Sequence, residues 1–180
     1  GLSNVAYQFM AGILAHIKEI TLLTNPLVNS YKRLVPGYDA PVCIAWSSLA
    51  NRSALIRIPS SKGDSTRIEL RCPDGAMNPY LALAACLQAG LEGIEKELEL
   101  PLCAKEPISL ADQEELNNCG IDRIPNTLGA AIEAYAGSLF VKNVLGEPIY
   151  IKYLEAKEKE WGEFGIQVTD WEIAQYLYQY

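Results

Sequence analysis

Between Arg52 and Arg71 the chain reads RSALIRIPSSKGDSTRIELR. Two short runs rich in Ile and Leu flank a polar turn that contains Gly63, a pattern that suits strands and excludes a helix through this stretch. A period of two places Thr66, Ile68 and Leu70 on one face of a strand over Thr66–Arg71, and Arg67, Glu69 and Arg71 on the other. In the run Ala54–Ile58, Ile56 and Ile58 face one way and Arg57 the other. A third strand is expected before them, over Pro41–Trp46. From Ser30 to Arg71 there are seven basic residues against three acidic ones, a local charge of +4 in a chain of formal net charge −7. A basic island in an acidic chain points to a small anionic ligand. The same acidic balance argues against nucleic acid, which needs a broad basic face.

The remainder is mainly helical. Val5, Phe9, Ile13 and Ile17 recur every fourth residue, predicting a helix over Ser3–Ile20 that Asn25-Pro26 breaks. The segment LVNSYKRLVPGYDAP (27–41) reads as a loop. Asn78-Pro79 is a helix start, and Leu83, Leu87, Leu91, Ile94 and Leu98 are the expected buried stripe of a helix reaching about Leu98. Shorter helices are expected from Ser109, with Asp112, to Gly120, from Asn126 or Thr127 through Tyr135, and over about Ser138–Leu145. A helix over Pro148–Phe164 carries a solvated charge run, and Thr169-x-x-Glu172 is a capping box for a last one. The aromatic load of that last helix (Trp171, Tyr176, Tyr178, Tyr180) is expected to dock on the chain's own core or on a neighbouring subunit. The fold class is therefore α+β, short antiparallel strands followed by a mainly helical C-terminal half. Residues 1–180 form one unit, with active-site strands and flanking helices over 1–100 and a helical region over 101–180. The helix that opens abruptly at the start suggests a piece of a larger domain.

No apolar run approaches the roughly 20 residues of a membrane helix. Five scattered cysteines with no C-x-x-C pair read as reduced thiols in a cytoplasmic protein. The single histidine, His16, sits in an apolar helical pattern and reads as structural; it leaves no partner set for a Ser-His or Cys-His nucleophile. The turn 60–65 lacks GxxxxGK[ST] and joins two strands, so it is not a P-loop. Arginines at this density can pair with acidic scaffold residues, bind phosphates or clasp a carboxylate substrate. Glu69 between Arg67 and Arg71 suits either an ordinary salt bridge or a hard-metal ligand beside phosphate-neutralising arginines. If the chain is an enzyme, phosphoryl transfer is the reaction type that this chemistry favours.

Several motifs are similar to those of class I glutamine synthetase: Asn25-Pro26 with NSYKRLVPGY (29–38), NRS-x-LIRIP (51–59), STRIELR-x-PD (65–74), NPYLALA (78–84) and the tail EW…QV-x-DWE…YL…Y (160–180). They run in order over almost the whole chain and match the C-terminal part of that family's catalytic domain. The resemblance implies ATP-dependent ligation of ammonia to glutamate through a γ-glutamyl phosphate, with ATP as co-substrate and Mg²⁺ or Mn²⁺ as cofactor. Carried over by motif, Arg33 and Arg71 would hold glutamate, Arg52 would meet the transferred phosphate, Arg57 and Arg67 would serve the nucleotide, and Glu69 would be a metal ligand. Asp39 stands where the family's flap has Glu in PGYEAP, the residue that helps deprotonate ammonium. An arginine of the family's S-x-R-N-R-S run is missing before Asn51-Arg52-Ser53. The resemblance also implies a homo-oligomer, a dodecamer of two six-membered rings. A γ-glutamyl ligase for another amine and a non-catalytic binding or assembly module are the competing readings. The isolated 180 residues are expected to be inactive.

Overall fold

The structure is a computed structural model that describes residues 2–38, 40–48, 52–60, 63–101, 103–104, 108 and 113–177. Its centre is α1 (Asn4–Thr24), longer than the periodicity predicts. The Ser3 hydroxyl caps it by accepting from the Ala6 N–H, and Asn25 ends it, since a residue before proline is steered out of the helical region. Met10, Ile13, Leu14, Ile17 and Ile20 are buried along its length. Helices α3 (Pro79–Glu95), α5 (Leu128–Ala136) and α6 (Leu139–Leu145) pack against it, and α7 (Glu147–Gly165) covers α5 and α6.

The contact of α1 with α3 overturns the expected leucine stripe. The buried residues of α3 are Ala82, Ala85, Ala89, Gly90 and Gly93. Leu83 is 65% exposed, Leu87 55% and Leu91 40%. The cause is close backbone approach: a Cβ on Gly12 would lie 2.0 Å from the Ala89 carbonyl oxygen, and one on Gly93 2.2 Å from the Gln8 carbonyl oxygen. Small residues let the two backbones meet, so the leucines on the other side of α3 are left outside. The N-terminus of α3 is as expected, with the Asn78 side chain accepting from the Tyr80 and Leu81 N–H groups ahead of Pro79.

The strands form one sheet ordered β1-β2-β3, with β1 at Cys43–Ser48, β2 at Ala54–Ile58 and β3 at Glu69–Leu70. The antiparallel expectation holds for β2 and β3, where Arg57 pairs with Glu69 and Ile56 with Leu70. Gly63, at a φ of +65°, supplies the left-handed turn residue between them. It fails for β1 and β2, which run parallel with Cys43 opposite Ala54 and Ser48 opposite Ile58. Residues 49–53 offer no Asn-Gly or Gly-X turn, so nothing there dictated a hairpin. The outer edge of β1 is taken instead by the 122–124 segment, through Ile44 N–H to Asp122 O and Ile124 N–H to Val42 O. The third strand is shorter than Thr66–Arg71 because regular pairing covers Glu69 and Leu70, extended by the Arg71 N–H donating to Leu55 O at 2.9 Å.

Two further expectations change. The presumed loop after Asn25-Pro26 contains a one-turn helix, α2 (Val28–Lys32), closed at its start by the Leu27 N–H donating to the Ser30 hydroxyl at 3.1 Å. The last helix, α8 (Asp170–Tyr176), has the expected Thr169/Glu172 capping box, yet it does not dock on the chain's own core: Trp171 is 63% exposed and Tyr176 54%. Tyr178 and Tyr180 lie outside the described residues. Helix α4 (Gln113–Asn118) ends before Gly120 as anticipated, and its expected start at Ser109 with Asp112 lies outside the described residues.

Candidate functional site

Strand pairing brings Arg57 of β2 opposite Glu69 of β3, and the two-residue offset puts Arg67 on the same side. The result is a carboxylate held from both sides. Arg57 donates Nε at 2.9 Å and places Nη2 at 2.7 Å on Oε2. Arg67 does the same on Oε1, at 2.9 and 2.7 Å. The Arg57 hydrogen bond, reinforced by that of Arg67, holds the Glu69 carboxyl below the usual carboxylate range against a smaller opposing effect of burial. Glu69 in turn offsets the repulsion between two guanidinium groups that would otherwise be driven apart. The arrangement keeps two planar cations side by side at the sheet edge, a disposition suited to an anion with several oxygens.

Arg71, the next outward residue, leaves this cluster and donates Nη1 to the backbone carbonyl of Arg52, fastening the start of β2 to the end of β3. Arg52 is exposed. Arg33, the residue after α2, is half-buried; its Nη2 donates to Asn25 Oδ1 at 2.9 Å and to the Cys72 carbonyl. Cys72 is adjacent to Arg71, so the two arginines expected to hold one substrate approach the same short segment. That segment is anchored: the Asp74 N–H donates to Thr24 O at 2.8 Å. The Asp74 carboxyl is held low by the Ala76 N–H first, with the Ser30 hydroxyl and Arg33 adding to it. Asp39, and Lys62 in the turn 60–65, lie outside the described residues.

Glu69 is a hard oxygen donor of the kind Mg²⁺ and Mn²⁺ select, but one carboxylate with both oxygens on arginines falls far short of an octahedral oxygen shell. Among the described residues no group of three His, Cys, Asp or Glu side chains is placed to hold a metal ion. The residues present therefore do not make a metal site by themselves. His16 takes the structural place expected of it, stacked on Phe140 at 3.8 Å with Nε2 3.2 Å from Glu92. The five cysteines are free thiols, and burial pushes the Cys72 thiol up to about 12. No described helix is long and apolar enough to cross a membrane. In the sequence Asn25 reads as a helix breaker and part of a family motif, with no role of its own; an amide fixed before a proline and eight residues ahead of Arg33 was the available signal.

A family model described as glutamine synthetase, catalytic domain, matches residues 1–176. The chain is similar to the glutamine synthetase of Clostridium saccharobutylicum, 49% identical over 180 residues that make up 100% of this chain and 40% of the relative. It is 51% identical to that of Methanosarcina mazei over 176 residues, 98% of this chain and 39% of the relative. The chain thus spans about 40% of the length of the curated relatives it matches. Among solved structures it resembles a GmaS/ADP complex at 34% identity and a TM-score of 0.82, covering 98% of this chain and 40% of that one. The apo form of GmaS gives a TM-score of 0.78.

Proposed function

We propose, from the premise that this chain belongs to the glutamine synthetase catalytic-domain family, that it supplies the arginine-lined half of an active site for ATP-dependent ligation of ammonia to glutamate. The observation that carries the reading is the paired guanidinium groups of Arg57 and Arg67 on Glu69, with Arg71 following on the same chain segment and Arg33 bonded to the Cys72 carbonyl just after it. In this reading Arg33 and Arg71 clasp glutamate, Arg57 and Arg67 meet the nucleotide phosphates, and Arg52 meets the phosphoryl group in flight. The γ-phosphoryl of ATP passes to an oxygen of the glutamate γ-carboxylate and ADP leaves. Ammonia then attacks the acyl carbon, phosphate departs with the bonding pair, and a proton is lost from nitrogen. Arginine charge opposes the build-up of negative charge in the first step, and Asp39 is the acidic group assigned to ammonium in the second.

The reaction takes Mg²⁺ or Mn²⁺ in this reading. Glu69 would be one carboxylate toward such an ion, and the described residues do not complete a site. We place the protein in the cytoplasm and as a homo-oligomer. Curated relatives named glutamine synthetase at 49% and 51% identity support ammonia over a larger amine. The test is product analysis of the natural-length protein with ATP, glutamate and either ammonia or a larger amine. Glutamine is the expected product; failure with ammonia alongside turnover of the larger amine overturns the choice. The 180 residues alone are expected to form no glutamine, and measurable synthesis by them would contradict the half-site reading.

A further inference from the structure

We propose that Asn25 is the positioning residue for Arg33, fixing where the substrate carboxylate is clasped while leaving the arginine's full charge available to it. The inference rests on the reading of Arg33 as a glutamate-binding residue and adds how that residue is held.

Asn25 is fully buried, with 0% exposure. Its backbone is fixed first: its N–H donates to Thr21 O at 2.8 Å at the end of α1, and Pro26 behind it holds it out of the helix at φ −137° and ψ 75°. Its side chain then bridges two groups. Nδ2 donates to Thr24 Oγ1 at 3.0 Å, and Oδ1 accepts from Arg33 Nη2 at 2.9 Å. Thr24 spends its single hydroxyl proton on the carbonyls of α1, 3.2 Å from Thr21 O and 3.4 Å from Ile20 O. With that proton committed, its oxygen toward Asn25 can only accept. The amide therefore has one workable orientation, NH₂ toward Thr24 and carbonyl toward Arg33; the flipped amide would face a donor with a donor. The chain of bonds runs one way, from the guanidinium through the amide and hydroxyl into the helix end.

The chemistry of an amide matters at this position. A carboxylate would hold the guanidinium more strongly, but it would occupy the charge that a substrate carboxylate needs. A neutral acceptor orients the arginine without neutralising it. The same Nη2 also reaches the Cys72 carbonyl beside Arg71, and Thr24 O accepts from the Asp74 N–H. Asn25 thus sits where the end of α1, α2 and the segment after β3 are tied together.

Steady-state kinetics on the natural-length synthetase test this with Asn25→Ala, Asn25→Asp, Arg33→Ala and the double variant Asn25→Ala/Arg33→Ala. The expected result is a glutamate KM raised about tenfold by either Asn25 change, the equivalent of about 1.4 kcal/mol, with the ATP KM within about twofold. On the Arg33→Ala background, Asn25→Ala should add nothing further. Asn25→Asp keeps shape and acceptor, so it answers the question even if the alanine variant does not fold. If Arg33→Ala leaves the glutamate KM unchanged, the reading of Arg33 itself is wrong. If Arg33→Ala raises it while both Asn25 variants do not, the positioning role is overturned. Equal rises in both KM values, additive with Arg33→Ala, would reduce Asn25 to a structural residue and overturn it as well.

Discussion

The β2–β3 ribbon and the α1–α3 helix pair are built on opposite principles. In the ribbon, position is set by named polar bonds: Glu69 to two arginines, Arg71 to a backbone carbonyl. In the helix pair it is set by the absence of side chains, with Gly12, Ala89, Gly90 and Gly93 letting backbones touch. One region is tuned by charge and the other mainly by volume, with the Glu92–His16 contact as a polar addition. In the proposed reading, the ribbon's cations serve a ligand while close backbone contact holds the helices.

The largest effect should come from filling the helix contact. Gly12→Val puts branched carbon where a Cβ would already lie 2.0 Å from backbone. Overpacking of this kind should cost about 3 kcal/mol in chemical denaturation, more than helix propensity returns. A stable Gly12→Val chain would mean that the two helices do not meet as described. Next comes Glu69→Gln, which leaves Arg57 and Arg67 facing a neutral amide. Loss of their charge-assisted bonds should cost about 2 kcal/mol, and added salt should recover part of it by screening the arginine repulsion.

Acid should act on the ribbon and on the α1–α3 pair alike, since Glu92 of α3, 3.2 Å from His16 of α1, also has a lowered carboxyl. Glu69, Asp74 and Asp122 all have carboxyls lowered by their partners in the folded state. A depressed folded pKa contributes stability that is present above the unfolded value and lost as pH falls through the folded one. Stability should therefore be level above the ordinary glutamate value of 4.5 and decline below it. Glu69→Gln should flatten part of that decline; an unchanged acid limb would separate Glu69 from it. The smallest effect belongs to the outer face of α3. Leu87→Gln should shift stability by less than about 0.5 kcal/mol, as expected for an exposed position. A loss of 2 kcal/mol or more would return Leu87 to a buried stripe.

The same contrast explains what could be read in advance. Strand β2 and the outward placement of Arg57, Arg67 and Glu69 follow from a period of two, which needs no knowledge of neighbours. Caps at Asn78, Thr127, Ser138 and Thr169 were likewise local, each a side chain bonding to a backbone N–H within three residues. The buried face of α3 was not local. Leucines and small residues both recur at helical spacing there, and only the glycine on α1 decides which of them turns inward. The parallel pairing of β1 with β2 escaped for a similar reason, since the edge of β1 is filled by residues 122–124, far along the chain. Arg33 could be singled out by its motif, whereas the amide that holds it is visible only once α1 ends beside α2.

The most direct test of the central claim, that the ribbon's arginines carry the anion chemistry, is Arg57→Lys in the natural-length protein. Lysine keeps the charge and can still pair with Glu69, but it loses the planar fork. ATP-dependent glutamine formation should fall roughly a hundredfold, about 2.7 kcal/mol in the transition state, with the melting temperature nearly unchanged. Retained activity, or a loss that merely tracks a lower melting temperature, would contradict the account.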